Sequence, residues 1–200
     1  VGPLSLATSL IDASLLYKAL RQETGEVHKL LAFLTANSIR YGATLIAHGA
    51  DVIVISDPSA TGEILGPKFF REFALPYLNK LTAGIHGLGK PVIVHICGDV
   101  SPLYKLPGEL GSECISVDSM VNIRKLKAKI PGKKLMGNVS TLLLQNGPIS
   151  KIHAVTKNLL NAGVDILAPA CGLSATTPVN HLKAMTEMAK NKLMVCGLPL

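Results

Sequence analysis

Short runs of β-branched and aliphatic residues recur along this chain. Each follows an amphipathic stretch and a glycine-containing break, and each ends in a polar or glycine-rich tip. Asp51–Ser56, Pro91–Cys97, Cys114–Val117, Lys134–Gly137 and Asp165–Pro169 have this form, and Gly2–Ala7 opens the chain with a similar phrase. Runs this short and this continuously apolar read as strands of a parallel sheet buried on both faces, because crossover helices cover such a sheet. The stretches between them read as helices, the longest being Gly25–His48 and Pro67–Gly87. Pro67 and Pro148 suit first helical turns, Gly49, Gly111 and Gly163 suit C-terminal breaks, and Pro76 should kink or split the helix it lies in. Alternating strands and helices predict an α/β fold.

The choice within that class is an open doubly wound sheet or a closed barrel. No Gly-x-Gly-x-x-Gly follows a strand and no P-loop pattern occurs, so the dinucleotide and nucleotide readings lose their main support. Polar or reactive residues instead recur at several strand ends: Asp57, His95, Cys97, Asp118, Asn138 and Cys171. A (β/α)₈ TIM barrel assembles its active site from the C-terminal ends of several strands in this way. Six strands are read where a barrel needs eight, so either two strands go unrecognised or the chain is part of a longer barrel.

Composition narrows the classes further. The 200 residues are 48% hydrophobic and 16% charged, too apolar for disorder, and the apolar runs are too short to cross a bilayer. The net charge is +7, with a cluster at Arg124, Lys125, Lys127, Lys129, Lys133 and Lys134, but aromatics are only 4% and Trp is absent. Nucleic-acid binding wants stacking aromatics among its cations, so the cluster reads as a solvated helix face and turn. Four cysteines are too sparse for a secreted disulfide scaffold, and the protein is read as cytoplasmic.

The sharpest local signal is Val94-His95-Ile96-Cys97-Gly98-Asp99. On a strand, positions i and i+2 share a face, so His95 and Cys97 converge while Ile96 turns away. Cys171, in Ala-Cys-Gly-Leu-Ser at another strand end, is a third candidate. Three protein ligands with a fourth position open is the catalytic zinc arrangement. By spacing alone, a packed strand-end histidine and two core thiols describe these residues as well, and only context separates the two.

Several ordered stretches supply context. Gly2-Pro3-Leu4-Ser5-Leu6-Ala7, Pro67-x-x-Phe70-x-x-Phe73-x-x-Pro76-Tyr77, His95-Ile96-Cys97-Gly98 with the distant Cys171, and Met136-Gly137-Asn138-Val139 resemble the uroporphyrinogen decarboxylase superfamily. The likeness is to its zinc-dependent branch, the methylcobamide:coenzyme M methyltransferases, and covers roughly residues 1–190. It implies a (β/α)₈ TIM barrel truncated at its N-terminus to about six βα units, with residues 1–192 as the C-terminal part of that barrel and residues 193–200 a tail of unknown origin. It implies Zn²⁺ on His95, Cys97 and Cys171, with Asp118 or Glu63 as a possible fourth ligand. It also implies transfer of a methyl group from a methylcobamide, carried on a corrinoid protein partner, to the thiol of coenzyme M. Tetrahydrofolate or homocysteine as acceptor, or an inactive fragment, are the alternatives. A decarboxylase has no use for the thiolate pair. Asn138 reads equally as a substrate-orienting group or a brace for the barrel mouth; Asp57-Pro58 reads foremost as a turn, and Asp99 as a support for a ligand.

Overall fold

The computed structural model of the chain describes residues 1–195, with side chains through Lys190; Cys196 and the rest of the terminal segment lie outside the described residues. Three helices come first: α1 (Pro3–Leu10), α2 (Ala13–Gln22) and α3 (Thr24–Ala47). Five strands then form one parallel sheet: β1 (Ile53–Ser56), β2 (Val92–Ile96), β3 (Cys114–Val117), β4 (Lys134–Val139) and β5 (Ile166–Pro169). Each coincides with one of the short aliphatic runs noted above.

The spatial order is the order in sequence, β1-β2-β3-β4-β5. A doubly wound sheet reverses its strand order at a switch point, and this sheet does not. Progression in a single direction is the barrel pattern. Helices α4 (Gly62–Phe69) and α5 (Leu75–His86) connect β1 to β2, α6 (Ile123–Lys129) connects β3 to β4, and α7 (Thr141–Asn146) and α8 (Ile149–Ala162) lead to β5, with α9 (Val179–Val195) following.

On the helix-covered face of the sheet, Ile55 pairs with Val94, Val94 with Ile115 and Ile115 with Leu135, and all four are at most 3% exposed. Each such side chain contributes roughly 2 kcal/mol relative to exposure. The opposite face departs from the expectation of burial on both sides. Val54 is 53% exposed and Ile166 39%, because β1 and β5 are the edges of an open sheet and no element lies over these positions.

The expected strand at Gly2–Ala7 is also corrected, since Pro3–Leu10 is helical. Pro3 pre-sets the first turn. Asp57, 52 residues away, accepts from Leu4 N–H (3.2 Å), Ser5 N–H (2.8 Å) and Ser5 Oγ (2.6 Å), so its carboxylate caps the helix. Gly2 N–H still donates to Ser56 O, which leaves the chain against β1 for one residue before it coils. A side chain on Gly2 would strike Asp57.

The helical stretch around Pro76 splits as expected. Its ladder widens to a π turn over Phe70–Ala74, with Leu75 N–H donating to Phe70 O, and regular α5 begins there. Helix α3 is long and apolar enough by composition to cross a membrane; Val27, Leu31, Leu34, Thr35 and Gly42 bury one stripe of it, and α5 is its main neighbour.

Candidate metal centre

Parallel register builds the site one row at a time. Ser56 pairs with His95, His95 with Ser116 and Ser116 with Met136, so these side chains stand in line on the open face. The row borders a cavity of about 400 Å³ whose lining also includes Ala168 and Cys171. A larger open groove of about 1000 Å³ runs between α6 and α8 and contains none of the His-x-Cys residues.

Within β2, Ile96 is fully buried toward the helices, as alternation requires, while His95 and Cys97 face the site. Gly98 turns the chain sharply at φ +73°. A Cβ there would lie 2.7 Å from Thr61 Oγ1 and 3.1 Å from Glu63 Oε2, so the turn needs glycine. Cys171 arrives from the end of β5, where Ala170 N–H donates to Val139 O at 2.8 Å.

The three residues predicted from sequence come together. Ligand atoms of His95, Cys97 and Cys171 lie within 4.8 Å of one another, and the two sulfurs are 3.6 Å apart. Tetrahedral zinc with Zn–S bonds of 2.3 Å sets its sulfurs about 3.8 Å apart, so the spacing suits the ion. His95 Nδ1 meets Ser116 Oγ at 3.0 Å, and Nε2 is buried without a hydrogen-bond partner. A buried imidazole nitrogen with no partner, beside two thiols, fits a site whose remaining partner is a cation.

Electrostatics favour the same reading. Burial holds His95 below its ordinary pKa, against the opposing pulls of Asp118 and Ser116, which keeps the ring in the neutral form that ligates. Burial first, then Asp118 and Cys171, push the Cys97 thiol up to about 12. Without a cation this thiol keeps its proton at neutral pH, so metal uptake must release it.

Asp118 stands at the rim. Its Oδ2 accepts from Cys97 Sγ at 3.2 Å and from Gly98 N–H at 3.4 Å, while Oδ1 accepts from Ser119 Oγ and Met120 N–H. Burial acts to raise this carboxyl, yet these donors outweigh it and hold it below the usual value. Among the described residues, neither Asp118 nor Glu63 belongs to the set of mutually close ligand atoms; Glu63 is exposed and faces Gly98.

Three other candidates have different roles. Asn138 donates through Nδ2 to Asp118 O (2.7 Å) and Val121 O (2.8 Å), bracing the loop after β3. Asp57 is corrected from site group to helix cap, since it is fully buried and α1 occupies both its oxygens. Asp99 accepts from Ser101 N–H through Oδ1 at 2.8 Å, a bond that turns the local loop. Ser116 was not anticipated. Its signal was available, because Ser116-x-Asp118 is a second i, i+2 polar pair at a strand end and adjacent parallel strands lay it beside His95-x-Cys97.

Residues 1–192 match the family described as uroporphyrinogen decarboxylase (URO-D). The methylcobamide:CoM methyltransferase MtbA of Methanosarcina mazei is 33% identical over 192 residues, which is 96% of this chain and 56% of that protein. The methylcobamide:CoM methyltransferase MtaA of Methanosarcina barkeri strain Fusaro is 34% identical over 187 residues, 92% of this chain and 54% of its own. A uroporphyrinogen decarboxylase of Anaeromyxobacter dehalogenans is 29% identical, over 93% of this chain and 55% of its own. Among solved structures, a methyltransferase from Methanosarcina mazei superposes with a TM-score of 0.89 at 33% identity, covering 95% of this chain and 56% of that one. The chain therefore spans just over half the length of the relatives it matches. The profile match takes in the whole sheet, the cap of α1 and every residue of the thiol-imidazole cluster, and on that match the chain belongs to the uroporphyrinogen decarboxylase family.

Proposed function

We propose that the complete protein transfers a methyl group from a methylcobamide, presented by a corrinoid-carrying partner protein, to the thiol of coenzyme M. The chain contributes the zinc site, formed by His95, Cys97 and Cys171. The carrying observation is the cluster itself, two thiols 3.6 Å apart beside a buried imidazole nitrogen that has no other partner. Relatives named as methylcobamide:CoM methyltransferases support the choice of donor and acceptor. Their length, and the two open edges of the sheet, support reading residues 1–192 as part of a closed barrel.

When bound, zinc supplies a Lewis acid that lowers the pKa of a thiol taken up at its fourth position, and the thiolate is the competent nucleophile. The chain's own groups set the conditions. Cys97 and Cys171 as thiolates balance the charge of the cation, and neutral His95 adds none. A substrate thiolate then carries the excess negative charge that keeps it nucleophilic. Asp118, bonded to the Cys97 S–H in the metal-free chain, loses that donor when Cys97 ionises, which frees a carboxylate oxygen at the rim. Met136 and Ala168 line the cavity with apolar surface.

The test is metal content first. Cys97→Ala and Cys171→Ala should each reduce zinc retained after dialysis to background, while the parent chain keeps close to one equivalent. Thiol methylation from free methylcobalamin by the full-length protein, with coenzyme M, homocysteine and tetrahydrofolate as parallel acceptors, then identifies the acceptor. Retention of zinc by either variant would refute the site.

A further inference from the structure

Ser116 was absent from the sequence expectations, yet it makes the one hydrogen bond recorded for the His95 ring. It lies on the neighbouring strand directly opposite His95 in register and is 5% exposed. A neutral imidazole carries its proton on one nitrogen, and the bond at Nδ1 decides which. If the serine hydroxyl donated to Nδ1, the proton would sit on Nε2, and a buried N–H would point at nothing while its lone pair was lost to coordination. If Nδ1–H donates to Oγ, the proton has an acceptor and the Nε2 lone pair stays free for a cation held with Cys97 and Cys171. Buried donors are left unpaired more rarely than acceptors, which favours the second arrangement.

We infer that Ser116 is a positioning residue, which accepts the Nδ1 proton of His95 and so holds the ring in the tautomer and orientation that offer Nε2 to a cation. The inference deepens the zinc-thiolate reading above and rests on it. Asn138 and Asp118 brace the same rim by separate bonds, to backbone and to Cys97, so the alignment of the imidazole depends on Ser116 alone among these three. Groups bonded to a metal-ligating histidine typically change metal affinity 10–100-fold when removed.

Ser116→Thr and Ser116→Val form the decisive pair, because they share a shape and differ in the hydroxyl. Zinc affinity is read by competition with a chromophoric chelator, and the tautomer by nitrogen-15 NMR of histidine in the metal-free chain. Ser116→Thr should keep the wild-type affinity within about threefold and the Nδ1–H tautomer. Ser116→Val should lose about tenfold or more and show a mixture of tautomers, with Ser116→Ala behaving the same way should valine disturb the strand. Equal affinities for the threonine and valine variants, with one unchanged tautomer, would overturn the role of Ser116 and leave the metal site standing. No zinc uptake by the wild-type chain would instead overturn the metal reading, and this inference with it.

Discussion

Asp57 and Asp118 occupy the same place on different strands. Each is the residue immediately after a parallel strand, β1 in one case and β3 in the other. Their partners could hardly differ more. Asp57 is fully buried and saturated by three donors from α1, whereas Asp118 sits at the rim and accepts from the Cys97 thiol and from three loop donors. A strand-end carboxylate is thus a structural part or a chemical one according to who donates to it, and its position alone does not decide.

The largest test of that contrast is Asp57→Ala. It leaves the Leu4 and Ser5 amides and the Ser5 hydroxyl without their acceptor in a buried place, where each orphaned group is costly. The expected loss is about 3 kcal/mol, or a drop of roughly 6–12 °C in Tm, with zinc affinity unchanged. Ser5→Ala removes only the hydroxyl donor, with its second bond from Ser59 N–H, and should cost about 1 kcal/mol in urea unfolding. A zinc defect in either variant would mean that the cap and the site are not separate devices.

The pH dependence of Asp57 follows from its burial, which raises its pKa in spite of the hydrogen bonds from Ser5 and Leu4. A carboxyl whose folded pKa lies above the unfolded value binds its proton more tightly when folded. Its contribution to stability is complete below the unfolded pKa and is lost as pH rises through the folded one. The advantage of wild type over Asp57→Asn should therefore shrink from pH 4 toward neutrality, as followed by thermal melts at a series of pH values. A growing advantage would show that the three donors outweigh burial.

The same contrast explains what was legible in the sequence. Strands β1 to β5 were readable because short aliphatic runs, rich in Val and Ile in β1 to β3, fit a sheet covered by helices, and His95-x-Cys97 was readable because a strand puts i and i+2 on one face. Leu4, Ser5, Leu6 and Ala7 read as a strand by the same logic and are helical, since the group that caps them lies 52 residues away. Ser116 escaped notice because its importance comes from the register between β2 and β3, which no single strand displays. The roles of Asp57 and Asp99 were hard to read because their donors come from a distant helix and a local turn.

The smallest effect concerns Asp118→Asn. Its carboxylate raises the Cys97 pKa both by hydrogen bonding and by charge, after the larger effect of burial. An amide in its place removes the charge, so a larger share of Cys97 is thiolate at a given pH, and only the thiolate reacts with an alkylating agent. Cys97 in the metal-free variant should be alkylated by iodoacetamide a few-fold faster at pH 8, read by peptide mass spectrometry so that Cys171 is scored separately. Stability should change by no more than about 0.5 kcal/mol, because Asp118 is bonded at a partly exposed rim rather than sealed inside. Asp57→Asn, whose side chain bonds to α1 and not to a thiol, should leave the rate alone. If Asp118→Asn instead destabilised the fold as much as the loss of Asp57 while the Cys97 rate stayed constant, the two carboxylates would be equivalent struts, and the assignment of one of them to the chemistry would fail.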